Sequence, residues 1–234
     1  MGWIPQPHRQ YAEISRLFHR VENIGDERLI GKVHNYCKAK KSRVLWVNKL
    51  KTVFKGVNYS CYTDASTPLK GYISNFKKHL QSYDQEVWYN EMFDDRNNEN
   101  GNKLRTYRLH KDRNTTEPYV FSVNNRYERS ILSKLRTGSL PLEIEVGRYQ
   151  NIPLEERICK QCQESLEDEI HFVVDCTFYN DLRYTMFALL NEEYQDFNLR
   201  PPIVKYILIM QSKHVKVISS TILKMYMRRK SYIG

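Results

Sequence analysis

Apolar residues recur at helical spacing along most of this chain. Tyr11, Ile14, Leu17, Phe18 and Val21 form one stripe, preceded by Pro5 and Pro7 and followed by Gly25, a residue suited to ending a helix. A second helix is predicted with Asp26 as its cap and Leu29, Ile30, Val33 and Tyr36 turned inward. A third follows, capped by Ser42, with Leu45, Trp46, Leu50, Val53 and Phe54 inward before Gly56. Thr67-Pro68 opens a longer fourth, because proline suits a first helical turn, and Leu69, Tyr72, Ile73, Phe76, Leu80, Tyr83 and Val87 lie on one stripe of it.

The run 94–102, DDRNNENGN, breaks the pattern and reads as an exposed linker. Beyond it LRTYRL and PYVFSV have the composition of short strands. Arg126 to Thr137 then reads as a helix with Ile131, Leu132 and Leu135 inward and Gly138 as its stop. Helices are also predicted over Asp181 to Glu192 and over Lys213 to Lys230, the last burying Val215, Ile218, Ile222 and Met225 and leaving five Lys/Arg outside. The expected architecture is mainly α. A basic helical domain covers 1–93, and an α-rich domain with at most short strands covers 103–234.

Charge changes this picture because it is segregated. Residues 1–80 hold 15 Lys/Arg against 5 Asp/Glu, residues 149–199 hold 3 against 11, and residues 200–234 hold 8 against none, within an overall balance of +10. Separated blocks of positive charge suit a polyphosphate, since each neutralised phosphate releases counterions. Solvated helix faces would produce the same blocks. No run approaches the roughly 18 consecutive apolar residues of a membrane span, and the opening MGWIPQPHRQ lacks the layout of a secretory signal. Five cysteines are too few and too scattered for a disulfide framework. The expectation is a soluble intracellular protein, nuclear or cytoplasmic, with no membrane partner and no small-molecule substrate.

One constellation carries chemistry. Cys159, Cys162, His171 and Cys176 are separated by two, eight and four residues, the arrangement that closes a tetrahedral Zn²⁺ site of three thiolates and one imidazole. Four protein ligands leave no open position, so the expected ion is structural, in a knuckle over 157–178. Cys37 and Cys61 are isolated and read as buried thiols.

Three stretches, LRTYRLHK, RYERSILSKLRTGSLPLEIEVGRYQNIPLEERICKQC and EDEIHFVVDCTFYNDLR, resemble the C-terminal region of animal non-LTR retrotransposon reverse transcriptases, the part known as the reverse-transcriptase zinc-binding domain. The resemblance covers residues 103–183, and MGW with the basic helices after it is similar to the thumb and linker that precede that region. It implies a fragment of a polyprotein that copies RNA at a nicked chromosomal target, with knuckle and linker gripping RNA or target DNA. It implies the same four zinc ligands, and it places Arg136, Arg148 and Arg157 where the family also has basic residues.

The chain departs from that family's catalytic pattern. No Tyr-x-Asp-Asp is present, and the nearest string, Tyr62-Thr63-Asp64-Ala65, lacks the second acid needed to share two metal ions. The same string superficially resembles a ribonuclease H strand, without the further acids such a site needs. No enzyme activity is expected.

The bases expected to contact nucleic acid are Lys38, Lys40, Lys41 and Arg43, then Arg126, Arg129, Lys134, Arg136 and Arg148, then Lys224, Arg228, Arg229 and Lys230. The knuckle is expected to be a joint rather than a reader, because Glu155, Glu156, Glu164, Glu167, Asp168 and Glu169 surround it. Tyr107, Tyr119, Tyr127 and Tyr149 are candidates for base stacking, or core residues. Two alternatives to nucleic-acid binding are a zinc-stabilised protein-interaction module and a decayed element fragment without an independent role.

Overall fold

A computed structural model describes residues 6–40, 46–59, 67–95 and 102–233. Ser42, Leu45, Cys61, Asp64 and most of the linker fall outside them, as do Lys41 and Arg43. The protein is mainly α, with no strand or sheet among the described residues. The chain divides into two compact units, Met1–Asn90 and Glu91–Gly234.

The first unit contains α1 (Gln6–Glu22), α2 (Leu29–Ala39), α3 (Trp46–Gly56) and most of α4 (Leu69–Phe93). Its core is a small apolar cluster of Phe18, Leu50, Phe54, Val57, Phe76 and Leu80, with Phe54 and Phe76 meeting edge to face at 5.1 Å. These residues lie on the stripes predicted for α1, α3 and α4, except Val57, which follows the α3 end. The predicted face of α2 is reversed. Leu29, Ile30, Val33 and Tyr36 are exposed, Leu29 to 75%, while Gly31 and His34 are buried. The cause is local: a Cβ at Gly31 would stand 2.5 Å from the Gly25 carbonyl oxygen, so only glycine permits this approach. His34 pairs with Glu22 at 3.1 Å and Lys38 with the same carboxylate at 2.7 Å, so a polar seam joins α2 to α1. Asp26 does not cap α2; its carboxylate accepts from Asn35, and Arg28 holds the capping position without a side-chain bond.

The second unit contains α5 (Tyr119–Ser122), α6 (Arg126–Arg136), α7 (Glu143–Tyr149), α8 (Asn180–Glu193), α9 (Pro202–Gln211) and α10 (Val215–Ile233). Neither predicted strand forms. LRTYRL becomes turns and a 3-10 turn at Tyr107–Leu109, and Pro118 opens the short helix α5, as a residue lacking an amide proton readily does. With no partner strand among the described residues, their amides bond locally instead. α6 begins where Asn125 accepts from the Tyr127 amide and ends at Gly138, whose φ is +62°. α10 packs against α6, α8 and α5, and α9 against the turn that carries His171. Leu132, Leu135, Leu142, Phe172, Leu190 and Met225 lie at the centre of this unit's core.

Candidate metal centre

Each ligand is delivered by a defined local structure. Cys159 and Cys162 flank a turn closed by the Gln163 amide on the Cys159 carbonyl at 2.8 Å, with Gln163 in the left-handed region at φ 58°. The Cys159 amide donates to the Ser165 carbonyl at 2.9 Å and the Glu167 amide to the Arg157 carbonyl at 3.0 Å, so the segment doubles back antiparallel on itself. Asp168 accepts from the His171 amide at 2.7 Å and starts a single π-helical turn, His171–Asp175. The Cys176 amide closes that turn on the His171 carbonyl at 2.8 Å.

All four donor atoms lie within 4.8 Å of one another. Cys159 and Cys176 sulfurs are 3.8 Å apart, and Cys162 Sγ is 3.3 Å from His171 Nε2. Tetrahedral zinc, with Zn–S about 2.3 Å and Zn–N about 2.0 Å, requires edges of roughly 3.8 Å and 3.5 Å. The group can therefore hold a metal ion. The Ser165 hydroxyl bonds His171 Nδ1 at 2.9 Å, which fixes the ring so that Nε2 faces the cysteines. A hydrogen bond from Cys176 pulls Cys159 below the ordinary thiol range, with a mirrored rise at Cys176. At His171 burial opposes the charged ring, but the Cys159 hydrogen bond and negative charge outweigh it and the net shift is upward.

Around the ligands lies a charge network that spacing did not reveal. Arg229 on α10 reaches both Glu167 oxygens, at 2.8 and 2.7 Å, and Glu143 at 3.2 Å. Glu167 also accepts from the Glu143 amide at 2.8 Å and lies 3.9 Å from Cys159 Sγ. Lys160 meets Glu143 at 3.0 Å. Glu169, fully buried, pairs with Arg105 at 2.6 Å. Glu167 and Glu169 are thus internal counter-ions, not the surface repulsion expected of them; Glu155, Glu156 and Glu164 do remain exposed.

The predicted nucleic-acid contacts divide into two groups. Arg136, 5% exposed, is held by Glu117 at 2.9 Å and the Met210 carbonyl, and Arg229, 6% exposed, is held as above. Neither guanidinium faces solvent, so neither is placed to meet a phosphate: ion pairing drew both inward. Arg228 forms a two-pronged pair with Asp181, Arg148 pairs with Glu145 at 2.8 Å, and Arg129 donates to the Val123 carbonyl. Arg126, Lys134, Lys224 and Lys230 are exposed in the second unit, as are Lys38 and Lys40 in the first. Of the four tyrosines, Tyr119 is buried and Tyr107 half-buried, whereas Tyr127 and Tyr149 are 62% and 71% exposed. Arg126 lies 4.9 Å over the Tyr127 ring and Arg148 5.3 Å over Tyr149. Arg157 is buried, its guanidinium donating to the Ile144 and Ile152 carbonyls across Gly147. Cys37 is half-buried.

A separate cavity of about 320 Å³ in the first unit, lined by His8, Ala12, Lys77 and Leu80 among others, involves none of the predicted site residues. No helix among the described residues is long and apolar enough to cross a membrane. Compared with protein families, curated proteins and solved structures, the chain matches none.

Proposed function

We propose that this chain is a non-catalytic nucleic-acid-binding module built on one structural zinc ion, related to the C-terminal region of retrotransposon reverse transcriptases. The observation that carries the zinc reading is the four-donor shell, buried except for half-buried Cys162, with His171 oriented by Ser165 and every position taken by protein. Cys159, Cys162, His171 and Cys176 would hold the ion, whose contribution is a cross-link between the 159–162 turn and the π-helical turn. Nucleic-acid binding is supported by the resemblance of residues 103–183, by the +10 balance, and by the cations left at the surface after the internal pairs are formed. Tyr127 and Tyr149, exposed beside arginines, add flat surfaces on which unpaired bases stack.

The test is fluorescence anisotropy of zinc-loaded protein against single-stranded RNA, single-stranded DNA and duplex DNA over a range of salt. Affinity falls steeply and linearly in log salt, and replacing Arg126, Lys134, Lys224 and Lys230 by Gln lowers the slope by up to about 3 on single strands and about 3.6 on duplex DNA. Absent binding, or binding indifferent to salt, overturns the reading.

A second reading, a zinc-stabilised protein-interaction module, draws on one specific feature. The exposed apolar stripe of α2, Leu29, Ile30, Val33 and Tyr36, is of the kind that marks protein contacts. It is favoured if Leu29→Ser with Val33→Ser abolishes association with a protein partner while salt-dependent nucleic-acid binding is absent.

A further inference from the structure

Among the described residues Arg183 on α8 is the largest fully buried side chain, 1% exposed. Its guanidinium donates to the Val174 and Cys176 carbonyls and to Asn180 Oδ1 at 2.7 Å, while Nε meets no acceptor. Among the described residues, three other buried cations have a carboxylate within ion-pair distance: Lys111 and Arg136 share Glu117, and Arg229 has Glu167. Arg183 has none. Arg157 also lacks one, but its donors run to carbonyls of α7 and the loop after it, whereas one donor of Arg183 ends on the carbonyl of Cys176, a candidate metal ligand.

A buried guanidinium whose partners are neutral oxygens and the Phe187 ring, 5.7 Å away, has no full opposite charge to offset its desolvation, so a negative charge nearby is worth more here than at the surface. Three thiolates, a neutral imidazole and a divalent ion carry a net charge of about −1. Glu167, Glu143, Arg229 and Lys160 already balance one another on the Cys159 side of the site. On the Cys176 side the nearest acid acting on Arg183 is the exposed Asp175, which makes no ion pair with it.

We propose that Arg183 is the counter-charge of the metal centre, a positioning residue whose buried cation stabilises the three-thiolate set and holds Cys176 in place through its carbonyl. This rests on the zinc reading above.

The experiment separates charge from hydrogen bonding. Zinc and cobalt affinities of wild type, R183K and R183Q are measured by competition with a chelator, with thiolate-to-cobalt absorption bands reporting the ligand set and circular dichroism reporting the fold. R183Q retains amide donors but no charge, and its affinity falls by about 10- to 100-fold, the size of effect usual for groups that support metal ligands. R183K, with the charge and fewer donors, recovers most of that loss, and saturating cobalt gives wild-type bands. Equal affinity in wild type and R183Q, or recovery by Gln and not by Lys, overturns the proposal and leaves the zinc site standing. A wild-type chain that binds neither metal overturns the zinc reading itself, and this proposal with it. Should R183Q fail to fold, R183K decides: affinity within about tenfold of wild type supports the charge, and a larger loss overturns it.

Discussion

The two units place their charge differently. In Met1–Asn90 the core cluster is apolar and largely aromatic, and none of the described Lys/Arg side chains is buried, with Lys38 half-exposed even where it pairs with Glu22. In Glu91–Gly234 Lys111, Arg136, Arg157, Arg183 and Arg229 are withdrawn into the interior, beside the metal ligands or in pairs that brace the same core. The difference teaches that a charge balance along a sequence counts cations that never meet solvent. Part of the excess on α6 and α10 serves buried carboxylates, and the acidic block around the knuckle is partly the other half of those pairs.

The largest break in the comparison comes from the metal. On the proposed zinc reading, Cys162→Ser leaves three donors and abolishes tight zinc binding, and residues 155–178 lose their order because metal-binding energy there is folding energy, on the order of 10 kcal/mol. Elemental analysis and thermal melting check this, and an unchanged melt with no metal in the wild type would show that the shell is merely packed thiols.

Next in size is Arg229→Ala, which strands Glu167 and Glu143 in the interior. It is expected to cost about 3–5 kcal/mol in urea unfolding, the usual penalty for breaking a buried pair. A residue serving only as a phosphate contact would instead weaken nucleic-acid binding and leave stability alone.

His110 sharpens the contrast by pH. Burial, with the Arg136 charge, holds its pKa down at about 3, below the ordinary 6.5. The folded state therefore binds fewer protons than the unfolded one between those values, and stability falls as pH drops from about 6.5 toward 3. Near pH 5 the loss relative to neutral pH is about 2 kcal/mol. His110→Gln flattens that acid-side slope in pH-dependent unfolding; an equal slope in both proteins would refute the assignment.

The smallest effects come from two glycines, one in each unit. At Gly138 a Cβ would stand 2.1 Å from the Lys103 carbonyl oxygen at φ +62°, so Gly138→Ala costs about 1–3 kcal/mol. At Gly56 nothing lies within 4 Å, and Gly56→Ala stabilises the first unit by about 0.5 kcal/mol through the unfolded chain. Matched unfolding curves that move in the same direction would contradict this.

Helix existence was legible because the 3.6-residue stripe of Phe76 and Leu80, or of Ile218, Ile222 and Met225, is the face that packs. The inward face of α2 was not, because it depends on the absence of a side chain at Gly31 and on an ion pair to His34 that no hydrophobic count registers. α9 carried a signal that went unused, a proline at its first position, and α7 offered little beyond seven residues. The Cys/His grouping was legible because all four residues fall within one short stretch. Its supporting network was not, since Arg229 lies 62 residues from Glu167 and 86 from Glu143, and only folding brings them together.

The most direct test of the central claim, that one ion organises the second unit from within, is hydrogen exchange followed by mass spectrometry on zinc-loaded and chelated protein. Removing zinc is predicted to speed exchange in residues 155–178 and in the last turns of α10, where Arg229 loses its ordered carboxylates, and to leave α1, α3 and the first half of α4 unchanged. Equal exchange in the two states, or acceleration that spares 155–178, would contradict the account.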